Sequence, residues 1–172
     1  LEAQLSDRRN AFFALTNTRS MSPVDAQTCI HNLADQLAQI AERLEQPLDL
    51  LVRGDSTLRG HFPLELETVR SAFEERLGIC YDGVVLCPFF AEGGRVTAGD
   101  IHWVEESDMM RPVALTEFAR DTTFGYSRSH LVHWVEEKTG GAVCASDVLS
   151  ISLKHIRQQG PEGVRDQLLQ MG

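Results

Sequence analysis

Three short apolar runs alternate with two stretches of helical periodicity, and this alternation constrains the fold more than any other feature of the chain. The runs are AFFALT at 11–16, LDLLVR at 48–53 and GVVLCP at 83–88. Between the first two, SPVD places Ser22 as an N-cap, Pro23 at the first helical position and Asp25 as the back-bonding acid. Apolar residues then recur at Ala26, Ile30, Leu33, Leu37, Ile40 and Leu44, the spacing of an amphipathic helix that ends near Pro47. A second helix opens at Pro63, lines one face with Phe62, Leu66, Val69, Phe73 and Leu77, and stops at Gly78. Strand, helix, strand, helix, strand is the order of an α/β domain. The expected fold is therefore α/β, with a mostly parallel sheet and helices on both faces.

Beyond the third run, RVT and IHWV pair as a small β-hairpin around Ala98-Gly99-Asp100. EESDMMRP reads as a charged loop, LTEFARD as a short helix and 129–141 as a helix closed by glycines. One or two strands fall in AVCASDVLSIS (142–152), and a last helix starts at Pro161. Cys29 and Cys87 sit in apolar patterns and read as small core residues, and no zinc-type cysteine spacing occurs.

Ligands of open α/β sheets bind beyond the carboxyl ends of the strands. Here the three exits carry TNTRS with Arg19, RGDSTLRG with Arg53, Asp55, Ser56, Thr57 and Arg59, and PFFAEGGR with Arg95. Either these arginines converge on a shared anion, or each pairs with a local acid such as Glu65 or Glu92. Gly54 and Gly60 permit close backbone approach. Ser56 and Thr57 match sugar hydroxyls. Asp55 can accept a proton from a hydroxyl, and an arginine grips a carboxylate with two donors. That set suits a polyhydroxy acid, unless Asp55 or Thr57 only caps the following helix.

The net charge of −9 argues against nucleic-acid partners. No run of 18 apolar residues exists, so no membrane partner is expected either. With no secretory signal at LEAQLSDRRN, the expected location is the cytoplasm, which also makes an adhesive role for the RGD tripeptide at 53–55 improbable. His130 and His133 are three apart on one helix but have no third ligand nearby, so no metal site is assigned.

The segment DSTLRGHFPLE resembles the DSTLRG signature of the four-carbon acid sugar kinases, a family long labelled as a domain of unknown function. TNTRS, VVLCPFFAEGGRVTAGDIHWV and LTEFARD are similar to further segments of that family. The resemblance implies an ATP- and Mg-dependent kinase for a threonate-, erythronate- or oxo-tetronate-type acid. It implies a single partial domain over 1–172, similar to the sugar-acid-binding N-terminal half. The family's D-D-x-T-G-A motif and its nucleotide-binding C-terminal domain lie outside this sequence, so that domain is an implied partner. The chain alone is then expected to hold no cofactor and to be inactive. Carried over, the match nominates Asp55, Ser56, Thr57, Leu58, Arg59 and Gly60, with Gly94 and Arg95. Together with Arg19 these are the substrate-binding candidates, and Asp55 is the catalytic candidate. The alternative is a stand-alone module that binds or senses small anions without catalysis.

Overall fold

A computed structural model describes residues 11–45 and 48–170. The LEAQLSDRRN start, Pro47 and the last two residues lie outside the described residues. The chain divides into two compact units. One takes in the described residues up to Gly54 together with Gly60–Val84; the other takes in Asp55–Arg59 and everything from Val85 onward.

The first unit is a helix pair. Helix α1 (Pro23–Leu44) begins as the sequence indicates: Ser22 Oγ accepts from the Asp25 amide at 3.2 Å and donates to the Asp25 carboxylate at 2.7 Å. It ends at Glu45, which takes the left-handed conformation. Helix α2 (Leu64–Leu77) ends at Gly78, also left-handed, whose amide donates to the Glu74 carbonyl at 3.0 Å. The core joins Ala34, Leu37 and Ala38 of α1 to Ala72 and Phe73 of α2. Phe73 is fully buried, a contribution of roughly 1.5–3 kcal/mol. Arg76 ties the helices at their surface through Asp35, at 2.8 Å.

The mostly parallel sheet is not found among the described residues. The runs at 11–16, 48–53 and 83–88 belong to no ladder. Phe12, Leu48 and Leu50 lay one face on the helix core, while Phe13, Leu15 and Leu51 are 80–88% exposed. An apolar run specifies an extended backbone with a face to bury. A sheet also needs a neighbour to receive each amide and carbonyl, and among the described residues none pairs with these runs. Cys87 is accordingly exposed, not a core residue, and Cys29 is half-buried.

The second unit holds the only sheet among the described residues, antiparallel and three-stranded in the order β1 (Arg95–Ala98), β2 (Ile101–Glu106), β3 (Met109–Pro112). The expected hairpin is β1–β2, with Ala98 opposite Ile101 and Arg95 opposite Val104. Its two-residue turn, Gly99-Asp100, has positive φ at both positions, the twist that suits a tight hairpin. The segment read as a charged loop instead completes β2 and forms β3, turning at Ser107-Asp108, again with both φ positive. LTEFARD forms a 3-10 turn at Glu117–Arg120 in place of a helix, preceded by another at Val113–Leu115. Helix α3 (Leu131–Lys138) follows, buried on Trp134 and Val135. Segment 142–152 contains a 3-10 turn in place of strands. Helix α4 (Leu153–Leu168) follows the Ser152 cap, begins well before Pro161, and kinks at Gly160. No helix among the described residues is long and apolar enough to cross a membrane.

Candidate functional site

The loop Asp55–Arg59 is organised around one carboxylate. Asp55 Oδ2 accepts from the Thr57 hydroxyl at 2.6 Å and from Arg59 Nε at 2.7 Å. The Thr57 amide adds a further bond, and Leu58 N donates to the Asp55 carbonyl at 3.0 Å. Burial alone would raise the Asp55 carboxyl. The Thr57 and Arg59 hydrogen bonds, the Arg59 charge and the Thr57 amide outweigh it and hold the group below the ordinary aspartate value. Neither Asp55 nor Thr57 caps α2, whose N-cap is Pro63 without a side-chain bond.

Two buried side chains hold the loop's main chain. His102 Nε2, on β2, lies 2.8 Å from the Ser56 carbonyl. The Tyr126 hydroxyl donates to the Thr57 carbonyl at 2.6 Å. Burial drives both groups toward their neutral forms: it lowers His102, with the Arg95 charge adding to it against the Ser56 bond, and it raises Tyr126, aided by the Asp55 charge and opposed by Arg59. Tyr126 is brought there by Gly125, where a Cβ would stand 2.6 Å from the Asp121 carbonyl.

Arg59 and Arg95 meet on one ring. Their guanidinium carbons lie 4.9 and 5.9 Å from the centroid of Phe118. Arg59 is neutralised by Asp55 and has Asp121 at 3.9 Å, rather than Glu65 or Glu92. Arg95 differs. Its guanidinium donates to the Gly93 carbonyl, its Nε is buried without a partner, and it forms no ion pair among the described residues. The main chain of Arg95 is locked by reciprocal bonds with Phe90, at 2.8 and 2.9 Å, which close the 91–94 loop. Gly94 serves that loop. Its φ is +72°, and a Cβ would meet that of Glu105 at 2.7 Å.

Ser56, Thr57, Asp55, Arg59, Gly94 and Arg95 thus all fall in the second unit, and Arg19 and Gly60 in the first. Arg19 sits in a 3-10 turn, Thr18–Ser20, which His61 holds from within the same unit through the carbonyls of Thr18 and Met21, at 3.1 and 3.2 Å. Four residues escaped sequence reasoning. Phe118 and Asp121 lie in the EFARD segment, noticed only for its resemblance, and His102 alternates with Val104 as an inward residue of β2. Tyr126 gave no signal.

A groove of about 460 Å³ between α1 and α2 in the first unit is lined by residues such as His31, Glu67 and Ser71 and carries no Arg or Lys to meet an acid. His130 and His133 face each other with ring centroids 5.3 Å apart. No group of three metal-ligating side chains occurs among the described residues.

Arg95, half-buried and without an ion pair among the described residues, thus shares the Phe118 ring with Arg59 of a loop that carries hydroxyls. The family model for a sugar-binding N-terminal domain matches residues 1–172. The chain belongs to that family. This sugar-binding domain thus takes a small sugar ligand. Comparison with curated proteins and with solved structures gave no significant match.

Proposed function

We propose that this sugar-binding domain holds the acceptor of an ATP-dependent kinase, a four-carbon sugar acid of the threonate, erythronate or oxo-tetronate type. The observation that carries the acid is Arg95, whose charge is met by no carboxylate among the described residues while Arg59 beside it has two. A half-buried cation is costly unless an anion satisfies it, and a planar guanidinium grips a carboxylate with paired donors. The DSTLRG segment and the family's sugar-binding character support the rest of the reading.

In this reading the chain binds and orients; it does not carry the transfer. Phosphoryl transfer requires the γ-phosphate, a metal ion and the acceptor hydroxyl held in line. In this reading ATP and Mg belong to a nucleotide-binding domain that works with this one. Asp55, the catalytic candidate from sequence, becomes the organiser of the acceptor loop: a carboxylate bonded by three donors and lowered below its ordinary value is a poor proton acceptor. The test is calorimetric titration of the chain with C4 sugar acids, with and without Mg-ATP. Binding of an acid that ATP neither requires nor strengthens supports the reading. Failure of every acid to bind removes it.

A further inference from the structure

The loop's side chains divide into those that hold one another and one that holds nothing. Asp55, Thr57 and Arg59 are mutually bonded. The Ser56 hydroxyl makes no hydrogen bond among the described residues, although Ser56 is only partly exposed. Its peptide is nevertheless fixed, because its carbonyl is taken by His102 Nε2 at 2.8 Å. We propose that Ser56 is the loop hydroxyl that contacts the ligand, and that His102 is the positioning residue that aims it through the Ser56 carbonyl. This rests on the sugar-acid reading above.

The chemistry of the ring is determined by its neighbours. A carbonyl only accepts, so Nε2 carries the proton. The ring is fully buried and lies near the Arg95 charge, which disfavours a second proton. Nδ1 is then an acceptor, and Thr97 Oγ1 stands 3.0 Å from it. The Thr97 hydroxyl donates its single proton to the Pro88 carbonyl at 3.0 Å, so it is the Ser56 carbonyl that sets the tautomer. The link that holds the loop runs from His102 on β2 to Ser56. Tyr126 braces the next carbonyl in the same way. With both carbonyls drawn into the protein body, the backbone that carries the Ser56 hydroxyl is fixed.

The test uses the full chain and L-threonate as the probe, with the variants His102→Gln, His102→Leu, Ser56→Ala and the double variant Ser56→Ala/His102→Leu. Gln can donate from its amide to the Ser56 carbonyl; Leu fills the space without a donor. Affinity is expected to fall about tenfold in Ser56→Ala and in His102→Leu, each losing one hydrogen bond to the ligand, and to be largely retained in His102→Gln. The double variant should lose no more than either single one, because both act on the same contact. Imidazole nitrogen shifts should show the Nε2-protonated tautomer. Additive losses, wild-type affinity in a folded His102→Leu, or an Nδ1-protonated ring would overturn the proposal. Should His102→Leu not fold, the Gln variant decides, since lost affinity there contradicts it. If the wild-type chain binds no C4 sugar acid, the sugar-acid reading fails, and the clamp is judged by amide exchange at Thr57 and Leu58. Faster exchange in His102→Leu than in His102→Gln supports it, and equal rates refute it.

Discussion

Asp55 and Arg59 are four residues apart and joined at 2.7 Å, with the Thr57 hydroxyl bonded to both. The ion pair therefore belongs to the loop before it belongs to any ligand. Asp55→Asn removes the charge that neutralises Arg59, and is expected to cost about 1.5–3 kcal/mol of stability, the range for hydrogen bonds to charged groups. Urea unfolding at pH 7 checks this. An unchanged midpoint would mean the pair is not structural.

Acid should act on the second unit in two steps. His102 is lowered from its ordinary value of 6.5, so the unfolded chain binds the proton that the folded chain refuses. Stability from this group is full above 6.5 and falls as the pH drops toward the folded value. The charged groups acting on the ring and its loop are Arg95, Arg59 and Asp55. Asp55 is lowered from 3.8, so its contribution is present above 3.8 and lost as the pH falls through its folded value. His102→Gln should flatten the upper slope of stability against pH and leave the lower one. A wild-type curve flat between pH 7 and 5 would contradict the assignment of a neutral ring.

Tyr126→Phe deletes one oxygen and strands the buried Thr57 carbonyl. An unsatisfied buried group costs about 1–3 kcal/mol. Thermal melts should show a lower midpoint in Tyr126→Phe. An equal midpoint would show that water or another donor takes over.

The helices were legible because their signals are local. Ser22, Asp25 and Gly78 each act on backbone within a turn of themselves, and the structure places all three where their chemistry indicates. The hairpin at Gly99-Asp100 was legible for the same reason. The turn at Ser107-Asp108 was not, because neither residue is the glycine that usually takes positive φ. The sheet failed at a different level. Phe13 and Leu51 look like strand residues, but pairing is decided by distant backbone that no local pattern reports. The candidate site shows the same divide. Asp55, Ser56, Thr57 and Arg59 were visible as a polar cluster, whereas Phe118, Tyr126 and His102 reach Arg59, Thr57 and Ser56 across 59, 69 and 46 residues of sequence, with no spacing rule to announce it.

Gly94→Ala tests whether the 91–94 loop aims Arg95. The left-handed conformation costs a residue with a Cβ about 1–2 kcal/mol, and the new Cβ would press on Glu105, whose own Cβ cannot swing away. Chemical denaturation should show at least that loss, with weaker binding of a sugar acid. A neutral substitution would show that the loop tolerates other backbones.

The central claim is that Arg95 takes the carboxylate of the ligand while Arg59 remains paired with Asp55. The most direct measurement compares L-threonate with its neutral counterpart threitol, by calorimetry, in the wild-type chain and in Arg95→Ala. The account predicts that the wild-type chain prefers the acid and that Arg95→Ala loses roughly 1.5–3 kcal/mol of threonate binding, with threitol binding unchanged. Undiminished threonate binding by a folded Arg95→Ala chain would contradict it.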